Sequence, residues 1–202
     1  MIKVYGDLYS GNCYKVQLAL AHLQIPYEWR HIDILKKESR TPEFLAKNPN
    51  GKIPVLELEN GTFLAESNAI LYYLADGTSL IANDRLGRAQ SLQWLFFEQY
   101  SHEPYIAVAR YIVHYLHRPP EQESLLQQKV APGYAALQVM EQQLANRSYF
   151  INDQFGIADI ALFAYTHVAH EGGFDLTPYR CVREWLARVQ ALPRHIPMGT
   201  AP

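Results

Sequence analysis

The pattern of hydrophobic and polar positions is mixed in period before about residue 80 and helical after it. Before that point the period switches repeatedly between two and about 3.6. Ile2 to Tyr5 alternates, as a short strand does, and Asp7 to Asn12 is turn-rich. From Tyr14, the apolar residues Val16, Leu18, Ala19, Leu20 and Leu23 predict a helix ending near Pro26. Tyr27 to Ile32 alternates again as a second strand, and Lys36 to Arg40 is polar. Thr41-Pro42-Glu43-Phe44-Leu45 opens a helix with proline in its first turn, where a missing N–H is harmless. From Asn48 to Tyr73 the chain reads as a loop ending in Ile53-Pro54, a strand from Val55 to Leu58, a turn, and a strand from Thr62 to Ala65. A helix then opens at Glu66-Ser67 and runs to about Ala75. The order β-α-β-α-β-β-α predicts a small four-stranded mixed sheet with helices on both sides.

Residues 76–84 (DGTSLIAND) form a polar, glycine-containing connector, the best domain boundary in the chain. We place an N-terminal domain at 1–77, a linker at 78–84 and an all-helical domain at 85–202. Arg85 to His117 is apolar and aromatic almost throughout with Pro104 in the middle, which predicts one long bent helix or two stacked ones. Pro119-Pro120 marks a loop. Leu125 to Leu144 keeps the helical period through Val130, Tyr134, Leu137 and Met140, with Pro132-Gly133 as either a kink or a helix start. Two further helices follow, Ile157 to His170 and Tyr179 to Leu192. Asp159, three residues after Gly156, is placed to bond back to a helix cap, and its expected role is in folding.

Composition narrows the class without naming it. The 202 residues are 49% hydrophobic and 19% charged, which suits a compact chain rather than a disordered one. A formal charge of -2 supplies no basic field for nucleic acid. Apolar runs are too short to span a bilayer, and MIKVYG enters a strand directly with no secretory pattern, so the cytoplasm is the expected compartment. Two cysteines, Cys13 and Cys181, make neither a disulfide framework nor a zinc site, and the histidines show no metal-ligand spacing.

Candidate chemistry begins with Pro54. A proline directly before an apolar strand cannot donate to the ladder, and it fits if the Ile53-Pro54 bond is cis and turns the chain at the mouth of a site. Glu66 and Ser67 interrupt an apolar run where a helix starts and backbone N–H groups point outward, a place that welcomes a carboxylate. The turn Tyr9-Ser10-Gly11-Asn12-Cys13 lies between the first strand and the first helix, and in a sheet of this order the three segments can meet at one crevice. The sharper alternative, a redox-active thiol, follows from Ser10-Gly11-Asn12-Cys13 having Cys-x-x-Cys spacing with serine in the attacking place. Against it stands Cys13 as a small packed hydrophobe.

This arrangement, with an all-helical second domain, resembles the cytosolic glutathione transferases along the whole chain. The resemblance is carried by N-P-N-G-K-I-P-V-L at 48–56, E-S-N-A-I-L-Y-Y-L at 66–74 and F-G-I-A-D-I-A-L at 155–162. It implies a thioredoxin-like α/β domain that binds glutathione, followed by an α-helical bundle. Ile53, before the proposed cis Pro54, would pair its backbone with the cysteinyl part. Glu66 would take the γ-glutamyl ammonium, and Ser67 with the helix N-terminus the α-carboxylate. Lys52, and after it Arg40, would meet the glycine carboxylate.

The resemblance also implies the chemistry. A glutathione thiol is mostly protonated at neutral pH, and a hydroxyl at a helix N-terminus stabilises the thiolate by donating to it. The run V-Y-G-D-L-Y-S-G-N-C (4–13) looks like the serine-type theta, phi and nu-like bacterial classes, which gives Ser10 that role and Asn12 a second donor's. Tyr5 and Tyr9 compete, because other classes use a tyrosine there. The second substrate, a small hydrophobic electrophile or a disulfide, would lie against the helix from Arg85 to His117. Trp94, Phe97, Tyr100, Tyr105, Tyr111 and Tyr115 supply aromatic faces there, with Tyr105 the chosen pocket residue beside Tyr9. Glu98, His102, Arg110 and His114 supply polar groups, and no metal is expected. A homodimer is implied as well. The expected activity is glutathione S-transfer, with glutathione-dependent disulfide or peroxide reduction as the alternative and a non-catalytic glutathione-binding or regulatory module as the third reading.

Overall fold

The computed structural model describes residues 1–201, and these group into two compact units. The first is Met1–Asp76 together with the segment from Pro193 on, and the second is Gly77–Leu192. The last residues group with the α/β unit and not with the helices.

The first unit holds β1 (Ile2–Gly6), α1 (Gly11–Leu23), β2 (Tyr27–His31), α2 (Pro42–Leu45), β3 (Val55–Glu57), β4 (Phe63–Ala65) and α3 (Ser67–Ala75). The sheet order is β2-β1-β3-β4, with β1 parallel to β2 and antiparallel to β3, and β3 antiparallel to β4. This is the predicted mixed four-stranded sheet. Register fixes what lies beside the site. Val55 sits opposite both Tyr5 and Ala65, so one step further Pro54 faces Gly6 on one side and Glu66 on the other. The Ile53-Pro54 bond is cis.

Helix α1 starts at Gly11, three residues before the expected Tyr14, because Ser10 caps it. Residues 13–20 of α1 are buried without interruption, so it has no solvent face along that length. Helix α3 packs along it, and the C-terminal segment covers another side. There the Tyr14 hydroxyl donates to the Ile196 carbonyl at 2.6 Å, and the Gln17 amide donates to that of Thr200 at 3.2 Å.

In the second unit, residues 85–115 form one long helical run, the first of the two expected forms, and it is irregular at two places. α4 (Arg85–Phe97) widens into a π turn over Glu98–His102, continues as α5 (Glu103–Arg110), and widens again over Tyr111–Tyr115. Pro104 accounts for the first interruption: in a regular helix its ring meets the carbonyl four residues back, and here it falls in the first turn of α5. α6 (Glu123–Leu144) passes through Pro132 without ending, so Pro132-Gly133 is no helix start. Gly133 has a packing reason, since a Cβ there would sit 2.5 Å from the Phe174 ring. α7 (Ile157–Thr166) is buried at all ten positions and stops before His170, followed by a 3-10 turn, Ala169–Gly172. α8 (Arg180–Gln190) buries only Val182, Trp185 and Val189, one stripe at helical spacing.

Asp159 holds the centre of this unit. Its carboxylate accepts from the Gly156 N–H at 3.0 Å, the Phe150 N–H at 3.2 Å and the Trp185 indole at 2.9 Å. The capping residue Gly156 has no side chain to return the favour, so the box is one-sided. A Cβ there would lie 2.7 Å from the Leu80 carbonyl oxygen, which explains the glycine. Burial pushes the Asp159 carboxyl up to about 7, with the three donors pulling the other way.

Candidate functional site

The loop after β1 is held tightly. The Tyr9 N–H donates to Asp7 Oδ1 at 2.8 Å, and the Ser10 N–H donates to the Asp7 carbonyl at 3.1 Å. From the other side the Gly199 N–H donates to the Leu8 carbonyl at 3.2 Å. Gly199, at φ +85°, lies so close over Tyr9 that a Cβ would come within 2.8 Å of the ring. Gly6 is needed for the close approach of α1, since a Cβ there would fall 2.6 Å from Cys13 Sγ.

Ser10 is the N-cap of α1. Its Oγ accepts from the Cys13 N–H at 3.5 Å, a long bond that leaves the hydroxyl proton to be donated elsewhere. Two residues on, Asn12 reaches across to the next element: the Ser67 hydroxyl donates to Asn12 Oδ1 at 3.1 Å. The start of α1 and the start of α3 are therefore joined by a side-chain bond. Ser67 is buried and Glu66 exposed. Glu66 holds φ +66°, a backbone region that a non-glycine residue enters only at a cost of about 1–3 kcal/mol. Glu66 and Pro54 lie one residue beyond the Val55–Ala65 pair that ends the ladder, so Ile53-Pro54 and Glu66-Ser67 share one end of the sheet, and the Ser67–Asn12 bond brings Ser10-Asn12 to it.

Lys52 lies on the loop before β3, and Arg40 reaches that loop from the 3-10 turn Glu38–Arg40. Asn48, which sequence reasoning passed over, builds this loop: its amide donates to the Lys52 carbonyl at 2.8 Å and its Oδ1 accepts from the Asn50 N–H at 3.1 Å. Arg40 donates to the Asn50 carbonyl at 3.0 Å and lies across Gly51, whose φ of +63° and missing Cβ both suit glycine. Lys52 and Arg40 are both exposed residues.

The two tyrosines separate cleanly. The Tyr5 hydroxyl donates to Glu57 Oε2 and Lys47 lies over its ring, and burial with that carboxylate pushes its phenol up to about 12. Tyr9 is 58% exposed on the loop itself. Cys13 has no exposed surface, and burial pushes its thiol up to about 12, which favours the packed reading over the redox one.

In the helical unit, the aromatic set divides. Trp94 is buried edge-on against Phe97 and Phe150, while Tyr100 is 83% exposed. Tyr111 stacks on Tyr115, and Tyr105 is half-buried with Lys129 over its ring. Three of the polar residues pair with side chains from the segment that holds α7 and the 3-10 turn after it. His102 Nε2 meets the Thr166 hydroxyl at 2.9 Å, and that hydroxyl donates to the Leu162 carbonyl, so the imidazole proton is assigned to Nε2. Arg110 Nε donates to Glu171, which also lies 3.6 Å from His114 Nδ1. No cluster of three metal-ligating side chains occurs among the described residues.

Residues 9–76 match the glutathione S-transferase N-terminal domain and residues 123–188 the C-terminal domain. The chain belongs to the glutathione transferase family. It is similar to a glutathione S-transferase from Pseudomonas fluorescens Pf-5, at 57% identity and TM-score 0.97, over 98% of this chain and 99% of that one. A glutathione transferase from Burkholderia graminis, solved with two glutathione molecules per subunit, matches at 30% identity and TM-score 0.80 over 96% of this chain and 85% of that one. The disulfide-bond oxidoreductase YfcG of Escherichia coli is 29% identical over 198 residues, 93% of this chain and 91% of the relative.

Proposed function

We propose that this chain is a glutathione S-transferase that binds glutathione on its α/β unit and holds the thiolate with Ser10. The observation that carries the reading is the Ser67–Asn12 bond at 3.1 Å, which joins the starts of α1 and α3 beside the cis Ile53-Pro54 segment. In this reading the Ile53 backbone pairs with the cysteinyl residue, and Glu66 takes the γ-glutamyl ammonium. The N-terminus of α3 takes the α-carboxylate, and Lys52 with Arg40 the glycine carboxylate. The Ser67 hydroxyl already donates to Asn12, so the backbone N–H groups of α3 carry most of that recognition.

Ser10 donates its proton to the sulfur and lowers the thiol's pKa without becoming a nucleophile. The thiol proton leaves to solvent, the thiolate attacks an electrophilic carbon, and a leaving group such as halide departs with its bonding pair. Tyr9, exposed on the loop after β1, is proposed as an aromatic contact for that hydrophobic acceptor. Glutathione is the reducing thiol pool of the cytoplasm, where we place the reaction. No described helix is long and apolar enough to cross a membrane.

The similarity to a disulfide-bond oxidoreductase and the presence of Asn12 beside Ser10 favour a second reading. There the thiolate attacks a disulfide, and a second glutathione resolves the mixed disulfide to oxidised glutathione. Retention on glutathione-agarose followed by assays with an aromatic halide and a model disulfide separates these. Turnover of the halide supports transfer, and turnover of the disulfide alone selects reduction. Retention with neither activity leaves the regulatory module. Folded protein that is not retained ends every glutathione reading.

A further inference from the structure

Lys15 is the one charged side chain of α1 and has no exposed surface. Its Nζ lies 3.3 Å from Ser67 Oγ and 3.4 Å from Asn68 Oδ1. Taking an ammonium out of water costs several kcal/mol unless its hydrogen-bonding demand is met, so a lysine here is an expensive way to pack two helices. Its placement has a consequence for hydrogen-bond direction. An ammonium can only donate. Ser67 Oγ therefore accepts from Lys15, and its single proton is directed to Asn12 Oδ1 at 3.1 Å. With Oδ1 committed, what the Asn12 carboxamide offers to any other group is its N–H2 end.

Remove the ammonium and that polarity is lost. Ser67 Oγ can then accept from the Asn12 amide, which turns the carboxamide round and presents its oxygen where the N–H2 was. A carbonyl oxygen repels a thiolate or a carboxylate, and an N–H2 attracts one. We propose that Lys15 is a positioning residue that acts through Ser67 to hold Asn12 as a hydrogen-bond donor toward the glutathione sulfur. The inference rests on the glutathione reading of the site and extends it to a buried residue that would touch neither substrate.

The test measures the thiol titration of glutathione bound to the full chain, by the ultraviolet absorbance of the thiolate, in Lys15→Met, Lys15→Gln, Asn12→Ala and the Lys15→Met/Asn12→Ala double variant. Circular dichroism establishes that each is folded. Lys15→Met is expected to lower the thiolate fraction at fixed pH by about tenfold, a shift of about one pH unit. Lys15→Gln, whose amide can still donate to Ser67, is expected to fall between it and wild type, and it carries the test if Lys15→Met does not fold. In the Asn12→Ala background the lysine change is expected to add little. Folded lysine variants with an unchanged titration overturn the proposal. So does a shift that persists in full without Asn12, which would make Lys15 a plain distant charge. Wild-type protein that binds no glutathione refutes the functional reading instead. The side-chain amide resonances of Asn12, read in the free protein, then decide alone: a shift in Lys15→Met that exceeds the one in Lys15→Gln sustains the relay, and equal or unchanged signals end it.

Discussion

Cys13 and Ser10 stand three residues apart at the start of α1, and burial gives them opposite fates. Cys13 lies wholly inside with its thiol pushed up to about 12, so at neutral pH it is a small hydrophobe under β1. Native protein treated with iodoacetamide is expected to be modified at half-exposed Cys181 before Cys13, and glutathione should not change that order. Rapid loss of the Cys13 thiol in folded protein would restore the redox reading. Ser10 keeps partial exposure and a long cap bond, which suits a donor. Both were legible because a turn before a helix is a visible place to look for chemistry. Lys15 and Asn48 were not. A lysine in a helical stretch normally points to water, and the signal that this one does not lies in Leu18 and Ala19, which three and four residues on flank it on its own side of α1 and are buried. Asn48 acts only through the loop it closes, which no local pattern announces.

The elements of the α/β unit came out of periodicity nearly intact, because alternation and helical spacing there are short and bounded by Gly and Pro. What periodicity could not reveal is pairing over a long separation. The C-terminal segment covers α1 through Tyr14, Gln17 and the Arg194 bond to the His22 carbonyl at 2.7 Å. Irregular sequence of this kind carries no periodic mark. It has a testable electrostatic consequence. Burial first, then the nearby His195 and Arg194, depresses the His22 imidazole to about 4. The unfolded chain binds a proton near pH 6.5, so between pH 6.5 and 4 unfolding takes up protons and stability falls as pH falls. Above pH 6.5 this contribution is fully present. Urea titrations across the window are expected to show a shallower acid loss for His22→Gln than for wild type, and parallel curves would contradict the assignment. In the helical unit the two π turns escaped notice, since widening by one residue leaves the apolar spacing almost unchanged.

At the scale of the whole molecule, the fold class was legible because the family motifs at 48–56, 66–74 and 155–162 span both units. Subunit assembly belongs to this scale. Leu86, Phe96 and Tyr100 are 67%, 69% and 83% exposed, and at 100° per residue they fall within a stripe about 80° wide on α4 and its π turn. We propose that this stripe serves the homodimer that the family resemblance implies. Sedimentation of wild type is expected to give a dimer and of Phe96→Glu/Tyr100→Glu a folded monomer, whereas a monomeric wild type would remove the stripe's purpose. In the proposed function, reactivity rests on one group: the Ser10 hydroxyl at the start of α1, which would hold bound glutathione as the thiolate. The direct measurement is the titration of glutathione's thiol on wild type and on Ser10→Ala. We predict a bound thiol at least about one pH unit below the free one, returning toward it in the variant as turnover falls by about one to three orders of magnitude. A bound thiol that titrates identically in both proteins would contradict the account.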